Sequence, residues 1–169
     1  MKLKKFNFKI VNSTNDLAIK IIKNTKNKSG IVIAERQKKG RGQYGKKWTS
    51  FKGNLFVSIF FKITKVQLSL KDLTKVNCLL VKKLLSKFYN GKITIKKPND
   101  LLINRMKISG ILQEILTKSG EKFIVVGVGV NLTKSPIIKN YLTTNLFDLT
   151  GTKITPNYAA LRLKKIYET

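Results

Sequence analysis

Apolar positions along the chain switch between two spacings. In FNFKIV (6–11) they alternate as in a strand. In LAIKIIK (17–23) they recur at helical spacing, and Ser13 or Thr14 in the preceding NSTND is a natural N-cap. GIVIAE (30–35) is a short run rich in branched residues and reads as a buried strand, as does NLFVSIFFKI (54–63). Residues 69–89 carry a helical stripe of Leu73, Val76, Leu80, Leu84 and Phe88. Further strands are predicted over 92–97, stopped by Pro98, over 100–104, and over 107–117 beyond a junction around Arg105 and Met106. KSG (118–120) then turns the chain into a strand over 121–132. Thr155 and Pro156 open a last helix as cap and first-turn residue. Strands mostly follow one another, with helices at three places. The expectation is an α+β domain, with a mixed, largely antiparallel sheet and helices mainly on one face.

Composition narrows the function. With 42% hydrophobic residues the chain reads as a folded domain rather than a disordered one, despite a formal charge of +27. That charge invites a nucleic-acid reading. Its cations, however, are spread from end to end and are nearly all Lys, with Arg only at Arg36, Arg41, Arg105 and Arg162. Bidentate base and phosphate contacts favour Arg, so the charge reads as a solvated surface and no specific DNA binding is expected. No apolar run of about 18 residues exists and no signal-peptide stretch follows the N-terminus, so no membrane partner and a cytoplasmic location are expected. Cys78 is the single cysteine and falls on the apolar side of the long helix, a core position. The absence of His removes the usual general base and the Ser-His and Cys-His nucleophile pairs.

Three stretches could carry chemistry. In ERQKKGRGQYGKKWTS (35–50), Gly40, Gly42 and Gly45 allow close backbone approach, while Arg41, Lys46 and Lys47 add charge. The loop suits a phosphate or carboxylate, or is simply a flexible basic hairpin. Trp48 and a strand follow it, which excludes a Rossmann turn, and its spacing excludes a Walker A loop. In KKPNDLLINRMKISGILQE (96–114), Asp100 is one of only eight acids; it either holds Mg²⁺ or belongs to an Asx turn with Asn99. Lys107 is a placed cation or edge protection. In VGVGVNL (126–132), Gly127 and Gly129 mark a close approach by a ligand or by a packed neighbour, and Asn131 offers an amide.

Taken in order, STN (13–15), ERQKKGRGQYGKKW (35–48), KPNDLL (97–102), KISGILQE (107–114) and GVGVNL (127–132) resemble the biotin–protein ligase family over roughly residues 6–168. The resemblance implies that biotin and ATP give biotinyl-5′-adenylate, whose biotinyl group passes to a lysine of a biotin carboxyl carrier protein. It implies biotin contacts from Ser13, Thr14, Asn15, Gln37, Gly40, Arg41 and Gly110. It implies ATP or adenylate contacts from Gly42, Gln43, Lys46, Trp48, Asn99, Lys107 and Asn131. Lys107 and Arg41 would be catalytic and Asp100 would hold Mg²⁺. Residues 1–169 are expected to form a single catalytic domain, monomeric or homodimeric, without a winged-helix extension or an SH3-like C-terminal domain. Two positions depart from the family pattern: Lys97 stands where many relatives have Trp, and Gln43 where bacterial relatives often have Arg. Lipoate or octanoate enzymes share the fold but need no partners for a ureido ring.

Overall fold

Each element follows from a local signal, and the two faces of one sheet decide where each goes. The computed structural model describes residues 1–63 and 69–169. Its elements are β1 (Lys4–Val11), α1 (Thr14–Asn24), β2 (Ser29–Gln37), β3 (Leu55–Ile63), α2 (Leu70–Leu85), β4 (Ile93–Lys96), β5 (Asp100–Ile103), β6 (Met106–Lys118), β7 (Glu121–Val130), α3 (Leu146–Thr150) and α4 (Pro156–Glu168). Ser13 caps α1 and Thr155 caps α4, each through its side-chain oxygen, and Pro156 occupies the first turn of α4 as its fixed φ favours.

The seven strands form one sheet in the order β1-β2-β3-β7-β6-β5-β4. Only β1 and β2 are parallel, and α1 is their crossover; every other pairing is antiparallel. Hairpin turns at Asn104–Arg105 and Ser119–Gly120, all at positive φ, join β5 to β6 and β6 to β7. The expected mixed, largely antiparallel sheet is therefore observed.

Both faces of the sheet are covered, so the central strands read as continuous apolar runs. On one face Ile31, Ile33, Val57, Ile59, Val126 and Val128 pack with Val81, Leu84 and Leu85 of α2 and Leu163 of α4. On the other, Val32, Phe60, Phe123 and Val125 lie under Ala18, Ile21 and Ile22 of α1. The two long helices thus share a face and α1 takes the opposite one. The stripe expected on α2 is rotated: Val76 is exposed, while Asn77, Cys78, Val81, Leu84 and Leu85 are buried. The helix packs against both the sheet and α4, so its buried arc is wider than one row. It also ends at Leu85 rather than near residue 89.

Cys78 is fully buried in this core, and burial, with a smaller contribution from the Asp100 charge, pushes its thiol up to about 11. Among the described residues no helix is long and apolar enough to cross a membrane.

Candidate active site

Beyond the N-terminal end of α1, its face of the sheet changes chemistry. Along β3 the residue two before Phe60 is Ser58, and along β7 the same-face residues after Phe123 and Val125 are Gly127 and Gly129. Period-two alternation puts all of these on one side. Large apolar side chains give way to small and polar ones where the helix no longer covers the sheet. A cavity of about 740 Å³ opens there, within the range that holds a small-molecule ligand.

Glycines make its floor. Gly110 and Gly129 are register partners on β6 and β7, and the indole of Trp48 lies across both. A Cβ on Gly110 would stand 2.8 Å from Trp48 Cζ3, and one on Gly129 would clash with the indole at Cε2. Gly127 leaves room in the same way for the amide of Asn15. The packing reading offered by the sequence thus holds here, with Trp48 and Asn15 as the packed neighbours.

The glycine-rich loop is ordered by its own backbone. Trp48 N–H donates to Gly40 O at 2.9 Å and Gly42 N–H to Lys46 O at 2.7 Å, with a single 3₁₀ turn over Gln43–Gly45 at the tip. Gly40 is buried against the Trp48 carbonyl, with Gln37 Nε2 and Ser50 Oγ just beyond, so no side chain fits there. Tyr44 sits at the tip in the left-handed region with φ 55° and is 90% exposed.

Under the loop the expected biotin residues are wired to one another. Gln37 Oε1 accepts from Thr14 N–H at 2.8 Å and lies 3.1 Å from Thr14 Oγ1, while Gln37 Nε2 donates to Ser50 Oγ at 3.3 Å. Ser58 Oγ stands 2.8 Å from Thr14 Oγ1 and 2.5 Å from Asn15 Oδ1, and its single proton serves one of them at a time. Asn15 Nδ2 donates to Leu112 O at 3.2 Å and Glu114 Oε2 at 2.7 Å. Both polar side-chain atoms of Asn15 have partners, so it holds the site together rather than facing into it. Ser13 is buried, and its oxygen accepts from Asp16 N–H while its own proton stays available.

Arg41 departs from expectation. Instead of a free cation facing the cavity, its guanidinium grips Glu114 with two bonds, Nη1–Oε1 at 3.1 Å and Nη2–Oε2 at 2.7 Å, and touches Asp16 Oδ1 at 2.7 Å. The hydrogen bond to Glu114 raises its pKa further and keeps it charged.

Lys107 does reach the cavity, as a partly buried cation. Its Nζ is 2.7 Å from Asp100 Oδ1 and lies 5.4 Å from the Trp48 ring centre and 5.5 Å from that of Tyr141. Tyr141 donates to Asp100 Oδ2 at 2.7 Å. Burial first, and then Asp100, raise the Tyr141 pKa well above the ordinary phenol value, so it remains the donor. Asp100, expected to hold a metal, therefore has both oxygens facing protein partners. Asn99 Nδ2 donates to Ile111 O at 2.7 Å, fixing the corner between β4 and β5 to β6.

The lining is strongly positive: Lys46, Lys47, Lys96, Lys97 and Lys139 join Lys107 and Arg41, against Asp100 as the lone carboxylate. Lys97, one of the two departures, is an exposed residue of the rim. Arg41 Nε, Gln43 Oε1, Trp48 Nε1 and Asn131 Oδ1 are buried in this lining with no hydrogen-bond partner. Buried polar groups are rarely left so, and several around one cavity mark a ligand site.

Sequence reading missed Ser58, Glu114, Asp16, Tyr141 and Asn54. The fully buried Asn54 accepts through Oδ1 from the backbone N–H of Leu132, Thr133 and Lys134 at 3.0–3.2 Å, fixing the chain that leaves β7 beside the cavity. Ser58 had a signal, being the one polar residue within the apolar run 55–61 of β3.

Comparison with known proteins places the chain in a family. The sequence profile of the "Biotin/lipoate A/B protein ligase family" matches residues 7–131. The bifunctional ligase/repressor BirA of Salmonella typhimurium is 30% identical over 161 residues, covering 94% of this chain and 50% of that protein. BirA of Escherichia coli is 34% identical over 125 residues, covering 73% of this chain and 39% of that protein. The chain thus spans half or less of the length of both. Among solved structures, the biotin protein ligase from Aquifex aeolicus in complex with biotin and ATP superposes with a TM-score of 0.79 at 28% identity, over 98% of this chain and 69% of that one.

Proposed function

This chain belongs to the biotin/lipoate A/B protein ligase family, and on that premise we propose that it is the catalytic domain of a biotin–protein ligase. In the first step a biotin carboxylate oxygen attacks the α-phosphorus of ATP. The α–β anhydride bond breaks, pyrophosphate leaves, and biotinyl-5′-adenylate remains. In the second step the ε-amine of a lysine on a biotin carboxyl carrier protein attacks the acyl carbon. An amide forms, AMP departs, and the amine proton goes to solvent. Carboxylate is already a nucleophile, so the lack of histidine is no obstacle.

The observation that carries the reading is the lining itself, a partly buried Lys107 among unpartnered polar atoms in a positively charged cavity. Bringing a carboxylate to a triphosphate is opposed mainly by charge repulsion, and a fixed cation where charge accumulates lowers that barrier. Lys107 takes this role by exchanging Asp100 for the reacting carboxylate and α-phosphate. Holding the two reactants together contributes the rest. The Ser13 hydroxyl and a Gln37 N–H face the ureido carbonyl of biotin, while Thr14, Asn15, Gly40 and Gly110 shape the pocket. Asn131 Oδ1 accepts from the adenine amino group, and Gly42, Gln43, Lys46, Trp48 and Asn99 surround the adenylate.

The arrangement does not offer a protein-held Mg²⁺ site. Both Asp100 oxygens face Lys107 and Tyr141, and among the described residues no three His, Cys, Asp or Glu side chains cluster. Mg²⁺ carried on the phosphates of ATP is compatible with this lining, and none of the chemistry above runs through it.

Biotin-dependent ATP–pyrophosphate exchange tests the proposal. Exchange that requires biotin and ignores lipoate supports it. Exchange with lipoate alone transfers the assignment to the lipoate branch of the family, and none with either acid overturns both.

A further inference from the structure

Of the eight acids in a chain with 35 cations, two converge on one arginine. Glu114 comes from β6, Asp16 from the first turn of α1, and Arg41 from the glycine-rich loop, so one guanidinium ties three elements together. With two carboxylates on one guanidinium the cluster is net negative. Arg41 is then no source of free positive charge for an anionic reactant, and its buried Nε has no hydrogen-bond partner.

We propose that Glu114 is a positioning residue: together with Asp16 it forms an acidic clasp that holds the glycine-rich loop closed through Arg41 and so sets how long the adenylate is retained. The inference rests on the ligase reading for its substrate, but not for the clasp itself. Two observations argue against an incidental surface pair. The Arg41–Glu114 contact is bidentate, the geometry that gives a guanidinium–carboxylate pair its strength and direction. The clasp is also continuous with the floor of the cavity. Glu114 Oε2 receives Asn15 Nδ2, Asn15 meets Ser58, Ser58 meets Thr14, and Thr14 meets Gln37, which donates to Ser50 at the far end of the loop. Both ends of the loop are thereby fastened to the residues proposed to bind the acid.

The three side chains are partly exposed, at 37% for Arg41, 53% for Asp16 and 28% for Glu114. Pairs of this kind add little to global stability. A clasp and a merely structural pair are therefore separable by experiment. Glu114→Gln removes the charge and keeps the size. Limited trypsin digestion of the ligand-free chain, read at Arg41, Lys46 and Lys47, should accelerate about tenfold with no change in thermal midpoint. Adenylate formed from biotin and ATP and then chased should leave about tenfold faster. In an Arg41→Ala background, Glu114→Gln should add nothing to either rate, because the two act through one contact. Unchanged trypsin and release rates in Glu114→Gln overturn the clasp, as does a fall in thermal midpoint that accounts for both. If the parent chain shows no biotin-dependent exchange while Glu114→Gln still exposes the loop, the ligase reading fails and the clasp stands. If exchange is present and the loop is indifferent to Glu114→Gln, the reverse holds.

Discussion

Gly129→Ala tests the glycine floor. Gly129 faces Gly110 across β6 and β7, and an added Cβ would occupy the space of the Trp48 indole. The docked indole and the new methyl group cannot coexist. Trp48 is mostly buried, which corresponds to roughly 160 Å² or more removed from water for a side chain of its size. At about 25 cal/mol per Å² the docked position is then favoured by ~4 kcal/mol, a factor of about 10³. Alanine, on the other hand, is better than glycine within a strand by about 0.5–1 kcal/mol, so the sheet itself should hold or gain stability. The effect is therefore local. Trp48 is the single tryptophan of the chain, which makes intrinsic fluorescence a direct report on this one contact. Gly129→Ala should shift emission to the red and increase acrylamide quenching, with the thermal midpoint unchanged or slightly raised. Unchanged emission would mean that the sheet yields and the indole stays, refuting the steric reasoning. A red shift with a lowered midpoint would refute it equally, since the sheet and not the loop would have failed.

Other consequences follow from single contacts. Lys107→Ala should lower the kcat/KM of biotin-dependent exchange by about 10²–10³-fold, the scale for losing one preorganised charge partner, and far-UV circular dichroism should show the fold intact. Asn54→Ala leaves three backbone N–H groups without their acceptor and should cost about 3 kcal/mol or more in urea unfolding. Gln43→Arg restores a cation common in relatives beside the proposed adenylate and should lengthen its half-life in a chase experiment; an unchanged half-life would show that this position does not govern retention. Cys78, with its thiol pushed up to about 11, should resist alkylation at pH 8 until the protein unfolds. The sign for stability follows from the raised value. Below pH 9 the thiol is protonated folded or unfolded, and from there towards pH 11 the unfolded chain ionises first, so stability falls as pH rises.

Much of the architecture was legible in the chain because it depends on near neighbours. Alternation, continuous apolar runs and helical spacing located every strand and the three long helices, since burial on one face or both imposes those patterns wherever the element lies. Ser13 and Thr155 announced helix starts because a cap acts within three residues. Helix α3 escaped, being five residues long, too short to show a period. The stripe on α2 was misjudged by the direction of its buried arc, which depends on where α4 lies and not on α2 alone.

The site divides along the same line. The sequence by itself determined which residues are present and in what order, and so the family and its expected chemistry. It could not determine what each one touches. Glu114 lies 73 residues from Arg41, Ser58 lies 43 from Asn15, and Tyr141 lies 41 from Asp100. Contacts of that range leave no periodicity, because they arise from the pairing of β3, β6 and β7 and the seating of α1 on one face. The tertiary structure alone therefore decided that Arg41 is clasped by two acids, that Asp100 holds Lys107, and that Gly110 and Gly129 seat a tryptophan while Gly127 seats an asparagine.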